Sequence, residues 1–195
     1  LSSEREEVNP KDYKEYGTLP LVSTGCDSYA SWDPRFKHLS PSRDVDTIVS
    51  DIMELLPFKE WKDEHLVITG GEPLLGWQRA YPELLSHPKM QKLQEITFET
   101  NGTQPLHPEL ISYLEQWWWD GGKPGIGSNV RDREITFSVS AKLSCSGEKA
   151  EDAIKPEVVV GYQAVGHVYL KFVIATEDDA KEALAAADQH YGKLI

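Results

Sequence analysis

The feature that most constrains this chain is an apolar run that stops abruptly against two glycines, "HLVITGGEP" over 65–73. Leu, Val and Ile in succession suit a strand buried on both faces, the habit of parallel sheets flanked by helices. Two further stretches repeat the plan: "EITFET" (95–100) runs into "NGT", and "EITFSVS" (134–140) runs into "AK". Helical patterns alternate with them. In "DVDTIVSDIMELL" (44–56), Val45, Ile48, Val49, Ile52 and Leu56 share one face and Asp44 is placed to cap the start. A weaker helix is predicted over 78–86, and "HPELISYLEQWWW" (107–119) reads as a helix with Pro108 at a tolerated first-turn position. A short helix near 151–163, the strand "HVYLKFVIA" (167–175) and the helix "EDDAKEALAAADQHY" (177–191) complete the order. Strand–helix alternation predicts the α/β class, with right-handed crossovers and mainly parallel strands.

Residues 1–18 carry no apolar periodicity and read as an insertion or arm, leaving 19–195 as the main domain. "LPLVST" (19–24) is expected to form a short strand, and "DGGKPGIGSN" (120–129) to be a Gly-rich linker. The chain has 20 Lys and Arg against 32 Asp and Glu, a net charge of −12. So acidic a surface argues against wrapping of duplex nucleic acid, which rewards clustered cations, but leaves room for a local basic pocket. Two cysteines, Cys26 and Cys145, make no disulfide framework. No apolar run reaches membrane-spanning length, and the opening "LSSEREEVNPKDYKEYG" is unlike a signal peptide, so a cytoplasmic location is expected.

In parallel α/β folds the carboxyl ends of the strands share one rim, where ligands bind. "TGGEP" (69–73), "ETNGT" (99–103) and "SVSAK" (138–142) should therefore converge. Gly70 and Gly71 expose main-chain N–H groups and admit close approach. Glu72 offers a carboxylate to an ammonium, or is a solvated turn residue. Glu99, Thr100 and Asn101 add carboxylate, hydroxyl and amide, though Asn-Gly is also a common turn. Ser138 and Ser140 project from one strand face with Lys142 beyond them, or the strand is merely half-exposed. Cys26 lacks an adjacent base for a nucleophile and a second nearby Cys or His for zinc. Cys145 reads as an inert loop cysteine. The triple tryptophan 117–119 suits packing against the core or a partner subunit better than base stacking.

Taken together, Cys26-Asp27-Ser28 with Trp32-Asp33, Gly70 to Pro73, Glu99 to Thr103 and Ser140-Ala141-Lys142 resemble the radical S-adenosylmethionine family. Within it the similarity is to the 7-carboxy-7-deazaguanine synthases, in the variant with a long insertion inside the cysteine motif, and it spans residues 20–175. The resemblance implies a partial (β/α) barrel, with its first strand and the first two cluster cysteines expected to precede Leu1. It implies a 4Fe-4S cluster held by three cysteines, Cys26 being the last, with one iron open to S-adenosylmethionine. Asp27, Gly71, Glu72, Ser140, Ala141 and Lys142 then contact the cofactor, Thr69 the substrate, and Ser28 a Mg2+ ion. The implied reaction converts 6-carboxy-5,6,7,8-tetrahydropterin to 7-carboxy-7-deazaguanine with loss of ammonia, a step toward queuosine-type bases. A flavodoxin or ferredoxin as electron donor and a homodimer are implied with it. With one of three cysteines, residues 1–195 alone are expected to lack the cluster and be inactive. The rival readings are an activating enzyme for a glycyl radical on a protein client, and a non-catalytic α/β binding module.

Overall fold

Alternation of apolar and polar side chains marks out the central strands, and the fold follows from where the apolar half goes. The computed structural model describes residues 4–22, 28–120 and 133–192. They fall into two compact units, 1–43 and 44–195. In the first, helices α1 (Glu4–Glu7) and α2 (Tyr29–Trp32) accompany short 3-10 turns. Its small core packs Tyr29 against Phe36, edge to face with ring centroids 5.3 Å apart, beside Val22 and Ala30. No strand forms over 19–22: Pro20 has no N–H to give a ladder, and its carbonyl accepts the Tyr29 hydroxyl at 3.1 Å. Ser23 and Thr24, the rest of the strand expected there, lie outside the described residues, as does the linker from 121 onward.

The second unit holds α3 (Val45–Leu55), β1 (Leu66–Ile68), α4 (Tyr81–Leu85), β2 (Glu95–Thr100) and α5 (Pro108–Asp120). It continues through β3 (Glu134–Val139), α6 (Ala150–Ala153), α7 (Pro156–Tyr162), β4 (His167–Leu170) and α8 (Glu177–Tyr191). The strands pair in chain order, β1-β2-β3-β4, all parallel. Asp44 caps α3 by accepting from the Thr47 N–H at 2.8 Å, and Thr176 with Asp179 closes a capping box on α8.

One sheet face carries the core. Ile96 and Phe98 of β2 stand in register with Ile135 and Phe137 of β3, all buried against Val49 of α3, Tyr81 and Leu85 of α4, Leu110 and Leu114 of α5, and Val159 and Tyr162 of α7. Four rings pack in a line across this face: Tyr81, Phe98, Phe137 and Tyr162, with successive centroids 5.6, 5.3 and 4.7 Å apart. Since these helices share one side, the opposite face is left to the other half of each strand. There Val67, Thr97, Thr136 and His167 form one row, and Glu99, Ser138 and Tyr169 the next. This singly wound α/β sheet is compatible with a partial β/α fold.

Three expectations are corrected. β1 is not buried on both faces: it lies at the sheet edge among the described strands, and Val67, on the face away from the helices, is 42% exposed. β4 stops at Leu170 instead of reaching 175, because β3 beside it ends at Val139; the last contact is the Lys171 N–H to the Val139 carbonyl at 2.7 Å, and Val173 and Ile174 are exposed. The helix near 151–163 is two pieces, α6 and α7, since Pro156 lacks an N–H and restrains Lys155 before it. Of the three tryptophans only Trp117 packs inward.

Candidate functional site

β1, β2 and β3 each end in a polar turn, and specific bonds fasten these three turns to one another. After β1, Gly70 adopts φ 131°, a conformation that suits glycine alone, and Thr69, Gly70 and Gly71 are exposed. Glu72 is half-buried and turns its carboxylate toward the next loop. One oxygen accepts from the Leu74 N–H at 3.0 Å and the Thr100 hydroxyl at 2.7 Å; the other accepts from the Asn101 N–H at 2.7 Å. The carboxylate expected to meet an ammonium is thus a latch between the turns after β1 and β2.

The second turn is ordered from within. Asn101 accepts from both the Thr103 N–H and the Thr103 hydroxyl, at 3.0 and 2.7 Å. Gly102, at φ 78°, lies so close to β3 that a Cβ there would meet Val139 Cγ1 at 2.7 Å. The third turn joins through the Ser140 N–H, which donates to the Thr100 carbonyl at 2.8 Å. Thr69, Gly71, Glu72, Ser140, Ala141 and Lys142 are therefore gathered at one rim, with Ala141 buried and Ser140 and Lys142 half-buried.

Three buried residues absent from the sequence reading hold this rim. Gln78 donates to the carbonyls of Leu74 and Pro105 at 2.7 and 2.9 Å and accepts from the His107 N–H at 2.7 Å. Tyr81 donates to the Pro73 carbonyl at 2.5 Å, and Tyr162 to the Gln104 carbonyl at 2.6 Å. Burial pushes both phenols well above the ordinary tyrosine value, and the Glu72 charge pushes the same way. No local pattern marks these side chains, because apart from Leu74, four residues from Gln78, their partners are 8 to 58 residues away.

On the sheet face opposite the helices of this unit that carry the core, Glu99 joins two strand ends. Lys171 Nζ lies 3.1 Å from one of its carboxylate oxygens, and the Thr69 hydroxyl donates to the other at 3.5 Å. Ser138, next to Glu99 in register, is fully buried and its hydroxyl has no partner among the described residues. The strand is therefore not half-exposed at Ser138. The signal for Lys171 was its place two residues beyond Tyr169, on the same face of the β4 line.

Cys26 and Asp27 lie outside the described residues. Ser28 belongs to the first unit, at the N-cap of α2, where its side chain makes no cap bond. Cys145 is exposed, and its thiol is raised above the usual value by desolvation and by the nearby Asp179 and Glu182 carboxylates, which favours the protonated, weakly reactive form.

A 7-carboxy-7-deazaguanine synthase of Pyrobaculum aerophilum is 30% identical over 174 residues. The match takes in 89% of this chain and 62% of that protein. It supports a relationship to that family. No family model matches the chain, and no solved structure matches it. Among the described residues no helix is long and apolar enough to cross a membrane.

Proposed function

We propose that the chain is part of a cytoplasmic radical S-adenosylmethionine lyase that converts 6-carboxy-5,6,7,8-tetrahydropterin to 7-carboxy-7-deazaguanine with loss of ammonia. The observation that supports this best is the fastening of three strand-end turns at one rim by Glu72 and by the Ser140 N–H. Such a rim offers what an amino-acid-bearing nucleoside needs: exposed Gly70 and Gly71 after β1, and a hydroxyl and an ammonium side chain, Ser140 and Lys142, after β3.

In this reading Gly71, Ser140, Ala141 and Lys142 hold the cofactor and Thr69 meets the substrate. Glu72 fixes the Gly70-Gly71 turn in place, acting on the cofactor through that turn. Cys26 is assigned to a 4Fe-4S cluster, Asp27 to the cofactor and Ser28 to Mg2+ on the resemblance of their sequence. The cluster and cofactor, when bound, supply one-electron chemistry; the residues of this chain bind and orient. The proposal includes reduction by a flavodoxin or ferredoxin and assembly as a homodimer.

The test is anaerobic reconstitution of the full-length protein with iron and sulfide, followed by mass spectrometry of the product made from carboxytetrahydropterin. Formation of carboxydeazaguanine is expected. A cluster-loaded protein that leaves the pterin unchanged overturns the reading.

A further inference from the structure

A second concave feature lies at the other end of the sheet, where β3 and β4 begin. It is a groove of about 760 Å3, with Glu115, Trp118 and Trp119 from the last turns of α5, Glu134 from the start of β3, and Val165 and Val168 before and within β4. The Trp118 and Trp119 rings meet at 73° with centroids 5.0 Å apart, so that they present two walls of a box. They are 48% and 57% exposed, unusual for adjacent indoles. Neither Glu115 nor Glu134 has an ion-pair partner among the described residues. Electron-rich ring faces, two carboxylates unpaired among the described residues and an apolar floor are complementary to a cation carried on an apolar body.

The same helix already displays the matching contact. Arg133 stacks its guanidinium on the Trp117 ring, 4.6 Å from the centroid, while donating to the Trp117 carbonyl at 2.8 Å. A guanidinium suits the groove better than an ammonium, because it is planar, lies flat on an indole and can serve a carboxylate through two N–H groups. Paired exposed tryptophans are also the side chains that most often anchor protein partners. We propose that this groove receives an arginine side chain, flanked by apolar residues, from a partner protein. The site is independent of the rim described above, and the chain's net charge of −12 favours the approach of such a basic segment.

The test titrates the full chain with the blocked tripeptide Leu-Arg-Leu by calorimetry and tryptophan fluorescence. Saturable binding that weakens with salt is expected, about tenfold tighter than that of the citrulline counterpart, which keeps the shape without the charge. Trp119→Leu and the pair Glu115→Gln with Glu134→Gln should each lower affinity by about tenfold. If Trp119→Leu does not fold, the glutamine pair carries the test, since it keeps size and exposure. Four results overturn the proposal: no binding of the arginine peptide, equal binding of the citrulline peptide, wild-type affinity in the glutamine pair, or blocked arginine alone binding as tightly as the tripeptide. The last would make the ligand a small molecule instead of a partner protein.

Discussion

Replacing Glu72 by glutamine takes one carboxylate oxygen out of the latch between the turns after β1 and β2. In the best arrangement the amide oxygen keeps the Leu74 N–H and the Thr100 hydroxyl, and its NH2 then faces the Asn101 N–H, donor against donor. One charge-assisted bond, worth about 1.5–3 kcal/mol, is lost, and the two that remain drop toward the neutral range of about 0.5–1.5 kcal/mol each. Glu72 is half-buried, so solvent recovers part of this, and a net cost of about 2 kcal/mol is expected. Two measurements check it. The urea midpoint of the second unit should fall by about 1 M at a slope of about 2 kcal/mol/M. Hydrogen exchange at the Asn101 amide, which loses its acceptor, should quicken by about thirtyfold. The latch reasoning is refuted if Glu72→Gln keeps the wild-type midpoint and Asn101 protection while S-adenosylmethionine binding is lost, for then the carboxylate meets the cofactor directly.

Other expectations follow from the same geometry. Gln78→Leu strands two carbonyls and the His107 N–H, and should cost about 3 kcal/mol in denaturant unfolding, at about 1–3 kcal/mol for each unsatisfied group. Gly166→Ala would place a Cβ 2.6 Å from the Ile135 carbonyl oxygen, so thermal unfolding should show a loss of about 1–3 kcal/mol although the position is not in the left-handed region. His190 is 1% exposed with both ring nitrogens unpartnered among the described residues, and desolvation depresses its pKa, only partly offset by Glu157. The unfolded imidazole protonates first as pH falls below about 6.5, so stability should decline from there down toward the folded value, and His190→Leu should flatten that part of the pH profile. Cys145→Ala should leave the iron content of the reconstituted full-length protein unchanged, as measured by metal analysis.

Local periodicity carried much of the architecture. The bounds of β2 at 95–100 and α8 at 177–191 coincide with the expected ones, because alternation and a capping box are read over a few residues. The gathering of the three turns followed from strand order alone. What escaped was set by distant neighbours. Whether Val67 is covered depends on which side the helices take, and the Leu-Val-Ile run is the same either way. The bonds that Glu72 makes were not legible because two of its three donors lie in a loop 28 and 29 residues later. Gln78, Tyr81 and Tyr162 looked like ordinary helix residues for the same reason. Lys171 hid inside an apolar stretch that stops being a strand one residue earlier.

The line of four rings beneath the sheet ends at both sides in a phenol that grips a loop carbonyl, Pro73 on one side and Gln104 on the other. Displacing Phe98 or Phe137 sideways would drag those grips with it, so interior volume and the spacing of the rim are mechanically geared to each other. A lineage that remodels its interior must then retune its mouth in the same step, and variation at these four positions should be correlated with variation in the loops they hold.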